Sequence, residues 1–241
     1  YEQELKVARD IQARLRPRSL PSSGWFRAAG SSKPSSQVGG DCFDVRQTSE
    51  TTWAALVADV SGKGAGAALL SALLDGMFLA APHSYLALAD GVRQVNAFLT
   101  ERTGGEQYAT VFYCAVERCG AMEWINAGHP PPLIARADGR IEALPATGVP
   151  LGLFEDASIE ARTSTLSSGD RLIIYSDGLT EAINAAGEPF GMRRLREAIS
   201  AAPRLPAAML HDRILESVAE FTAGAELRDD LTLAVLEYRP E

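Results

Sequence analysis

The sequence contains few cysteines, no long apolar run and no basic tract, and each of these absences excludes a class of protein. Its three cysteines, Cys42, Cys114 and Cys119, are odd in number and lack Cys-x-x-Cys spacing, so they predict neither a disulfide framework nor a zinc site. No apolar stretch reaches the roughly 18 residues of a membrane helix, so we expect no membrane span in this segment. The formal net charge is −8, which argues against nucleic acid as a partner.

What remains is the composition of a folded domain with a substantial core. The chain has 241 residues, of which 46% are apolar, enough for one large domain or two small ones. No secretory signal peptide is recognisable at its start, so we expect a cytoplasmic location. The first residue is Tyr1 rather than Met, which suggests a piece of a longer protein.

One stretch combines a buried strand with a carboxylate and a glycine-rich turn. Trp53–Val60 is apolar except for Asp59. Glycines at positions 62, 64 and 66 follow, and a helix is predicted over 66–80. This pattern holds Asp59 at the end of a strand, beside backbone that can approach a ligand closely. It is not a nucleotide-binding P-loop, because Val57 stands where the first glycine of that motif would be.

Three further aspartates lie in similar settings. Asp41 follows a pair of glycines, Asp177 follows a buried strand, and Asp229 precedes the last strand. Asp beside Gly is also an ordinary turn signal, and for a single motif that explanation is as good as a functional one. Because it would have to apply four times, we interpret the four aspartates as parts of one site.

The order of predicted elements is typical of an α+β protein. An amphipathic helix is predicted over Glu2–Arg16, and prolines end it. Most predicted strands are joined by short turns and helices come in two blocks, which indicates mainly antiparallel sheets covered by helices. The predicted strands are 25–29, 43–47, 51–60, 108–118, 121–126, 133–136, 141–144, 158–166, 170–176 and 231–238, and the later helices are 66–80, 85–100, 193–201 and 206–221.

Four aspartates that meet at strand ends would form an acidic site with only oxygen donors. Such a site suits the hard cations Mg²⁺ and Mn²⁺ and suits zinc or copper poorly. Two like charges about 4 Å apart repel by about 4 kcal/mol at an effective dielectric constant of 20, so one or two divalent ions are expected. Two ions bridged by Asp59 would lower the pKa of a shared water and hold a phosphoryl group for in-line attack. The residues alone leave phosphoester hydrolysis and nucleotidyl transfer or cyclisation open.

Six motifs occur in order between Gly39 and Thr232, within a resemblance that runs over about residues 5–235. They are Gly39-Gly40-Asp41-x-x-Asp44, Ala58-Asp59-Val60-Ser61-Gly62-Lys63-Gly64, Asn126-Ala127-Gly128-His129-Pro130, Gly148-Val149-Pro150-Leu151-Gly152, Tyr175-Ser176-Asp177-Gly178-Leu179-Thr180-Glu181 and Asp229-Asp230-Leu231-Thr232. In this order they resemble the motif set of bacterial PPM-family serine/threonine protein phosphatases of the stage II sporulation protein E and RsbU type. Any one motif would be weak, whereas six in order are specific.

The resemblance implies a four-layer α-β-β-α sandwich and a metal-activated water that hydrolyses phosphoserine or phosphothreonine. By position, Asp59 resembles the ligand that bridges two Mn²⁺ or Mg²⁺ ions, and the carbonyl of Val60 completes one of them. Asp41 and Asp177 resemble further ligands, and Asp229 resembles the last. We therefore expect catalysis to depend on Asp41, Asp59 and Asp177 through the activated water. Many family members have glycine where this chain has Val60, which should not matter because the carbonyl is the ligand.

Some neighbouring residues are weaker candidates. Asp230 is adjacent to Asp229 and is easily confused with it, and Asp44 is expected to lie behind the ligands. His129 could be a base or a ligand, but a histidine in a proline-rich turn more often forms hydrogen bonds to backbone. Many members of the wider family bind phosphate through an arginine near the N-terminus, and only Arg27 and Lys33 are candidates here, by position alone.

The resemblance also implies partners and a division of the chain. The expected substrate is a phosphorylated STAS-domain anti-anti-sigma protein, and an upstream sensory domain is expected in the full-length chain. We expect residues 1–21 to form an N-terminal linker helix and residues 22–241 the phosphatase domain. The helix could pair with its twin in a homodimer, with ordinary packing on its own domain as the alternative. The apolar positions along one side of this helix are Leu5, Ala8, Ile11 and Leu15.

Two other functions compete with the phosphatase interpretation. A magnesium-dependent nucleotidyl cyclase-like enzyme would need a nucleotide pocket, and neither its motif order nor a purine-reading pair is apparent. An inactive interaction module would be expected to have lost a ligand, and all four aspartates are present. Turnover of an aryl phosphate, of ATP, or of neither separates the three.

Overall fold

The computed structural model of the chain describes residues 2–80 and 87–240. The predicted strands are all present, with differences at their ends. In chain order the elements are α1 Glu2–Leu15, β1 Phe26–Lys33, β2 Asp41–Ser49, β3 Thr52–Val60, α2 Ala65–Ala80, α3 Leu88–Thr103, β4 Ala109–Glu117, β5 Ala121–Ala127, β6 Leu133–Ala135, β7 Ile141–Ala143, β8 Arg162–Thr165, β9 Arg171–Tyr175, α4 Asp177–Thr180, α5 Gly191–Ser200, α6 Ala207–Thr222 and β10 Leu231–Tyr238.

Two antiparallel five-stranded sheets form the centre of the molecule. The first sheet has the order β1-β10-β9-β6-β7 and the second the order β2-β3-β4-β5-β8. Helix α6 lies on β1 and β10 of the first sheet, α2 lies on β2 and β3 of the second, and α1 contacts α2. The predicted α+β class and the α-β-β-α layers are therefore confirmed.

Three apolar clusters hold these layers together. The middle cluster lies between the sheets and includes Phe43, Phe112 and Ile174. A second joins α2 and α3 to the second sheet, with Leu74 and Val95 at its centre. The third joins α5 and α6 to the first sheet. Alternation of side chains along each strand supplies one face to the middle cluster and the other to a helix layer, which is why the strands are apolar on both faces.

The β2–β3 hairpin was predicted and sets up the site. Its register places Asp41 directly opposite Asp59. The β6–β7 pair across the turn at residue 139 was also predicted and is present.

Several element ends differ from the sequence-based predictions. β1 continues to Lys33, because its serine-rich half is paired with β10 along its whole length. β8 is shorter than the predicted 158–166, because it pairs with β5 only over Arg162–Thr165; the carbonyl of Ile159 accepts a hydrogen bond from Arg93. The short helix α4, at the end of β9, was not predicted. The predicted start of α3 at Tyr85 lies outside the described residues.

Two expectations from composition can be compared with the structure. Within the part of the chain that the structure describes, no helix is both long enough and apolar enough to cross a bilayer. The three cysteines are free, as expected, although Cys119 is exposed rather than packed.

Candidate active site

The four predicted aspartates come from the same end of the two sheets. Asp41 is the first residue of β2 and Asp59 is the second-last residue of β3. Asp177 lies two residues after the end of β9, and Asp229 lies two residues before the start of β10. Each sheet therefore contributes two of the four carboxylates.

Asp41 and Asp59 are cross-strand partners whose ionisation is perturbed. Asp41 is buried, and its Oδ2 accepts a 2.6 Å hydrogen bond from Oγ1 of Thr232. Burial, and then the charge of Asp59, raise the pKa of Asp41 well above its usual range. Burial also raises the pKa of Asp59 to about 7, and the charges of Asp177 and Asp229 add to that shift. These acids hold protons at pH values where ordinary aspartates are ionised.

Asp177 and Asp229 add the acidic groups of the first sheet. Burial raises the pKa of Asp177, the charges of Glu181 and Asp229 add to the shift, and Lys63 opposes it. The side chain of Asp229 is partly exposed, with its Oδ2 3.3 Å from Nζ of Lys63. Because the charges of Asp177 and Asp229 raise the pKa of Asp59, and the charge of Asp229 also raises that of Asp177, the three share one electrostatic environment.

Asp230 has a different position from its neighbour Asp229. It is buried, and its carboxylate accepts 2.7 Å hydrogen bonds from the backbone N–H groups of Ser35 and Gly40. The hydroxyl of Ser35 donates a third bond of 3.0 Å. Asp230 therefore ties the segment before β2 to the start of β10, and its oxygens are occupied.

Asp44 does not lie behind the proposed ligands, and that expectation is wrong. It is three residues from Asp41 on β2, and strand alternation puts the two side chains on opposite faces. Its Oδ2 is 3.7 Å from Nε of Arg46, and its charge raises the pKa of Asp75 in α2. Asp44 thus belongs to the interface between the second sheet and α2.

The backbone carbonyl of Val60 lies beside Gly40. A Cβ atom at Gly40 would come within 2.8 Å of that oxygen, so glycine is needed for the close approach of the two strand ends. The N–H of Val60 donates a 3.4 Å hydrogen bond to the carbonyl of Gly40. The role of the Val60 carbonyl as a ligand stays a prediction.

The donor set fits a hard divalent cation. The available donors are carboxylate and carbonyl oxygens, which Mg²⁺ and Mn²⁺ prefer. In this conformation, no three Asp, Glu, His or Cys side chains among residues 2–80 and 87–240 lie close enough together to hold a metal ion. Ligation would therefore require these side chains to move closer to one another. Their carboxylates repel one another unless a cation neutralises the charges.

His129 is a buried structural residue. Its Nδ1 lies 2.9 Å from Oγ1 of Thr110, and its backbone N–H donates a 2.8 Å bond to Oδ1 of Asn126. Burial lowers the pKa of His129 to about 3, while the backbone of Tyr175 acts in the opposite direction. The prediction that this histidine forms hydrogen bonds to backbone is not confirmed, because Nδ1 pairs with a hydroxyl group and Nε2 is buried without a hydrogen-bond partner among the described residues.

The two candidate phosphate-binding residues lie at opposite ends of β1. In the register of β1 and β10, Arg27 lies opposite Glu237, whereas Lys33 lies opposite Leu231, next to the acidic site. Six residues of extended strand separate them by about 20 Å. Arg27 therefore lies about 20 Å along β1 from the end that adjoins the acidic site, and Lys33 lines a separate cavity beside α6.

Sequence reasoning missed the hydroxyl groups that support the acids. Thr232 binds Asp41, Ser35 binds Asp230, and the hydroxyl of Ser176 donates a 3.0 Å bond to the carbonyl of Asp230. Two of them, Ser176 and Thr232, stand inside the quoted motifs, which was the signal available. Ser35 lies in a serine-rich loop without any distinguishing pattern.

A comparison with protein families identifies the fold and site together. Residues 49–239 match the family model of stage II sporulation protein E. The chain belongs to the stage II sporulation protein E family. The family match includes Asp59, Asp177 and Asp229, whereas Asp41 precedes it.

Curated relatives of this family member include named phosphatases. Protein IcfG of Synechocystis is 28% identical, over 98% of this chain and 41% of IcfG. Phosphoserine phosphatase RsbU of Bacillus subtilis is 24% identical, over 98% of this chain and 70% of RsbU. The chain thus spans less than half the length of IcfG.

Solved structures with the same fold are phosphatase domains. The SiaA PP2C domain of Pseudomonas aeruginosa superposes with a TM-score of 0.83 at 18% identity, covering 98% of this chain and 96% of that domain. The catalytic domain of serine/threonine protein phosphatase PstP, solved with two manganese ions, gives a TM-score of 0.65 at 16% identity, covering 88% and 97%. The stage II sporulation protein E family member described here therefore has the PP2C phosphatase fold, as its motifs predicted.

Proposed function

We propose that this domain is a metal-dependent serine/threonine protein phosphatase that hydrolyses phosphoserine or phosphothreonine on a regulatory protein. The observation that carries the proposal is that the charges of Asp177 and Asp229, from the first sheet, raise the pKa of Asp59, which lies opposite Asp41 in the second sheet. Membership of a family with named phosphoserine phosphatases supports the reaction.

The proposed ligands for two Mn²⁺ or Mg²⁺ ions are Asp41, Asp59, Asp177, Asp229 and the carbonyl of Val60. Such ions supply Lewis acidity and a nucleophilic water at neutral pH. A PP2C-fold structure that holds two manganese ions supports the number. We propose Asp59 as the shared ligand, because it lies opposite Asp41 and its pKa responds to the charges of Asp177 and Asp229.

The surrounding residues keep these ligands oriented. The Thr232 hydroxyl donates a hydrogen bond to Oδ2 of Asp41 and so orients its carboxyl group. Asp230 fixes the backbone of Gly40, which directly precedes Asp41. A ligand pair held on β2 and β3 by a cross-strand register is more rigid than one held on a loop.

The test is hydrolysis of an aryl phosphate and of a phosphoserine peptide by the purified domain with Mn²⁺ or Mg²⁺. Chelation should abolish turnover, and added metal should restore it. Full activity in excess EDTA would refute the metal mechanism. Turnover of ATP to a cyclic product would favour the cyclase-like alternative, and no turnover of any substrate would favour an inactive interaction module.

We infer that the substrate is a phosphorylated STAS-domain anti-anti-sigma protein and that the domain works in the cytoplasm under an upstream sensory domain. The named phosphoserine phosphatase RsbU among the relatives supports this choice. Incubation with phosphorylated STAS proteins from the same genome tests it, with an unrelated phosphoserine protein as control. Equal rates on both would contradict the assignment.

We also propose that residues 1–21 act as a linker helix before the phosphatase domain, 22–241, and mediate a homodimer. Val7, Ile11 and Leu15 are exposed at 55%, 53% and 48% and follow one another by four residues along α1. Leu5 and Ala8, which the sequence pattern placed in the same seam, are partly buried. The proposed seam is therefore Val7, Ile11 and Leu15.

A further inference from the structure

Lys63 is an exposed cation that the loop between β3 and α2 holds against the acidic site. Its Nζ lies 3.3 Å from Oδ2 of Asp229 and donates a 2.7 Å hydrogen bond to the carbonyl of Arg228. Gly62 and Gly64 on either side have φ angles of 93° and 76°, in the left-handed region that favours glycine. This loop shape directs Lys63 from the second sheet toward the first.

A cavity of about 430 Å³ opens beside Lys63. It adjoins Asp229 and Gly178, so a ligand in it reaches the acidic site. Its size is within the range of small-ligand sites in proteins. Its charged lining residues are Lys63, Glu181, Arg228 and Asp229, and its apolar wall is Ala182, Ile183 and Pro189.

The ammonium group of Lys63 acts on the proposed metal ligands in two ways. It pairs directly with Asp229, and its charge opposes the rise in the pKa of Asp177 that burial and the charges of Glu181 and Asp229 cause. Among the ion pairs formed by residues 2–80 and 87–240, only the pair between Lys63 and Asp229 includes a proposed metal ligand. The side chain is nevertheless 65% exposed, so it can leave Asp229 at little cost.

We propose that Lys63 binds the phosphate group of the substrate in the cavity beside Asp229, an inference that rests on the proposed phosphatase function. A divalent cation held by Asp229 would take over the charge that Lys63 neutralises and would repel its ammonium group. The long, flexible side chain would then pair with a phosphate dianion, for which lysine is a common partner. Lys63 thus fills the role for which Arg27 lies too far away.

The test compares K63M, K63R and the matched control K6M, which removes another exposed lysine, on α1. Binding of inorganic phosphate to the Mn²⁺-loaded protein and binding of Mn²⁺ alone are measured by calorimetry, and KM and kcat are measured with a phosphoserine peptide. K63M should weaken phosphate binding and raise KM by about tenfold, as expected for loss of one charge-assisted hydrogen bond, with kcat changed far less. K63R should retain most of the affinity, and K6M should match the wild type.

Binding of Mn²⁺ separates a phosphate-binding role from a structural one. K63M should bind Mn²⁺ as well as or better than the wild type, because a competing cation has been removed. Unchanged phosphate affinity in K63M would overturn the proposal, and so would parallel loss of phosphate and Mn²⁺ binding, which would indicate a loop-shaping role. If the wild type bound phosphate through Lys63 but hydrolysed nothing, the proposed function would fail while the phosphate site stood. Absence of phosphate binding to the wild type would overturn the site itself.

Discussion

Asp59 stands between the acids of both sheets. It is opposite Asp41 in the hairpin, and the charges of Asp177 and Asp229 raise its pKa. We propose it as the ligand that both cations share, so removing its charge is the most direct test of the site.

Asp59→Asn and Asp177→Asn should each lower kcat at least about a hundredfold, because a neutral amide neither balances the ions nor supports an activated water. The control is Asp44→Asn on the opposite face of β2, which should cost much less. Steady-state kinetics at saturating Mn²⁺ measures all three. An Asp44 variant as damaged as the Asp59 variant would contradict the assignment of the faces.

The adjacent acids Asp229 and Asp230 should give opposite results. Asp230→Ala leaves the N–H groups of Ser35 and Gly40 without an acceptor in a buried place, so it should lower the free energy of unfolding by about 2–4 kcal/mol. Asp229→Ala should abolish activity and leave stability nearly unchanged, because its side chain is 41% exposed. Denaturant unfolding and kinetics on both variants check this. Equal losses of stability would show that the roles were wrongly divided.

At the scale of elements, helix α1 is connected to the loop that precedes Asp41. The side-chain amide of Gln12 donates a 2.7 Å hydrogen bond to the carbonyl of Gly39, and its Oε1 accepts a 3.2 Å bond from the N–H of the same residue. Gly39 lies two residues before Asp41. A shift of α1 would therefore move the backbone that carries this proposed ligand.

We predict that α1 mediates a weak dimer and that its register sets the metal requirement. A coiled coil fused before α1 should lower the Mn²⁺ concentration needed for half-maximal activity in some registers and not in others. Gln12→Ala should reduce that register dependence, because it removes the bond to Gly39. Activity titrations with Mn²⁺ measure both effects, and identical titrations in every register would contradict the prediction.

The dimer surface itself is tested by substitution on α1. Ile11→Asp should prevent self-association, since it places a charge in the exposed apolar seam. Ala13→Asp, on another exposed part of the helix, is the matched control and should not. Sedimentation measures the oligomeric state. Unchanged association in the Ile11 variant would leave α1 as ordinary packing on α2.

At the scale of the whole molecule, the acidic site couples stability to pH and to metal. The pKa of Asp59 is about 7 in the folded chain and about 3.9 in an unfolded one, so the folded state binds the extra proton between these values. The free energy of unfolding should therefore fall as pH rises through this window. The raised pKa of Asp41 acts in the same direction.

In EDTA we accordingly expect the wild type to lose stability between pH 5 and pH 8, with Asp59 contributing on the order of 2 kcal/mol. Asp59→Asn should lose less over the same range. Added Mn²⁺ should raise the melting temperature of the wild type at pH 8, because cations bind the folded state. Thermal unfolding across pH checks this, and equal losses in both proteins would assign the pH dependence to other groups.

Much of the fold followed from local pattern. Apolar strands such as Trp53–Val60, the short turns between them and the two helix blocks predict two antiparallel sheets under helices. Where local signals were weak, as in the serine-rich half of β1, pairing with β10 decided the structure. Periodicity identifies elements because each has a fixed repeat, but it does not specify the partners that extend or end them.

The sequence by itself determined which acids are candidates, through the motifs that place Asp41, Asp59 and Asp177 at strand ends. Only the tertiary structure decided that the carboxylate of Asp230 accepts hydrogen bonds from backbone N–H groups. It also decided that Asp44 lies on the face of the second sheet that packs against α2. It also brought Lys63 to Asp229 from the other sheet. The physical reason is that motifs record local backbone geometry, whereas burial, hydrogen-bond partners and electrostatic neighbours depend on elements that are distant in the chain.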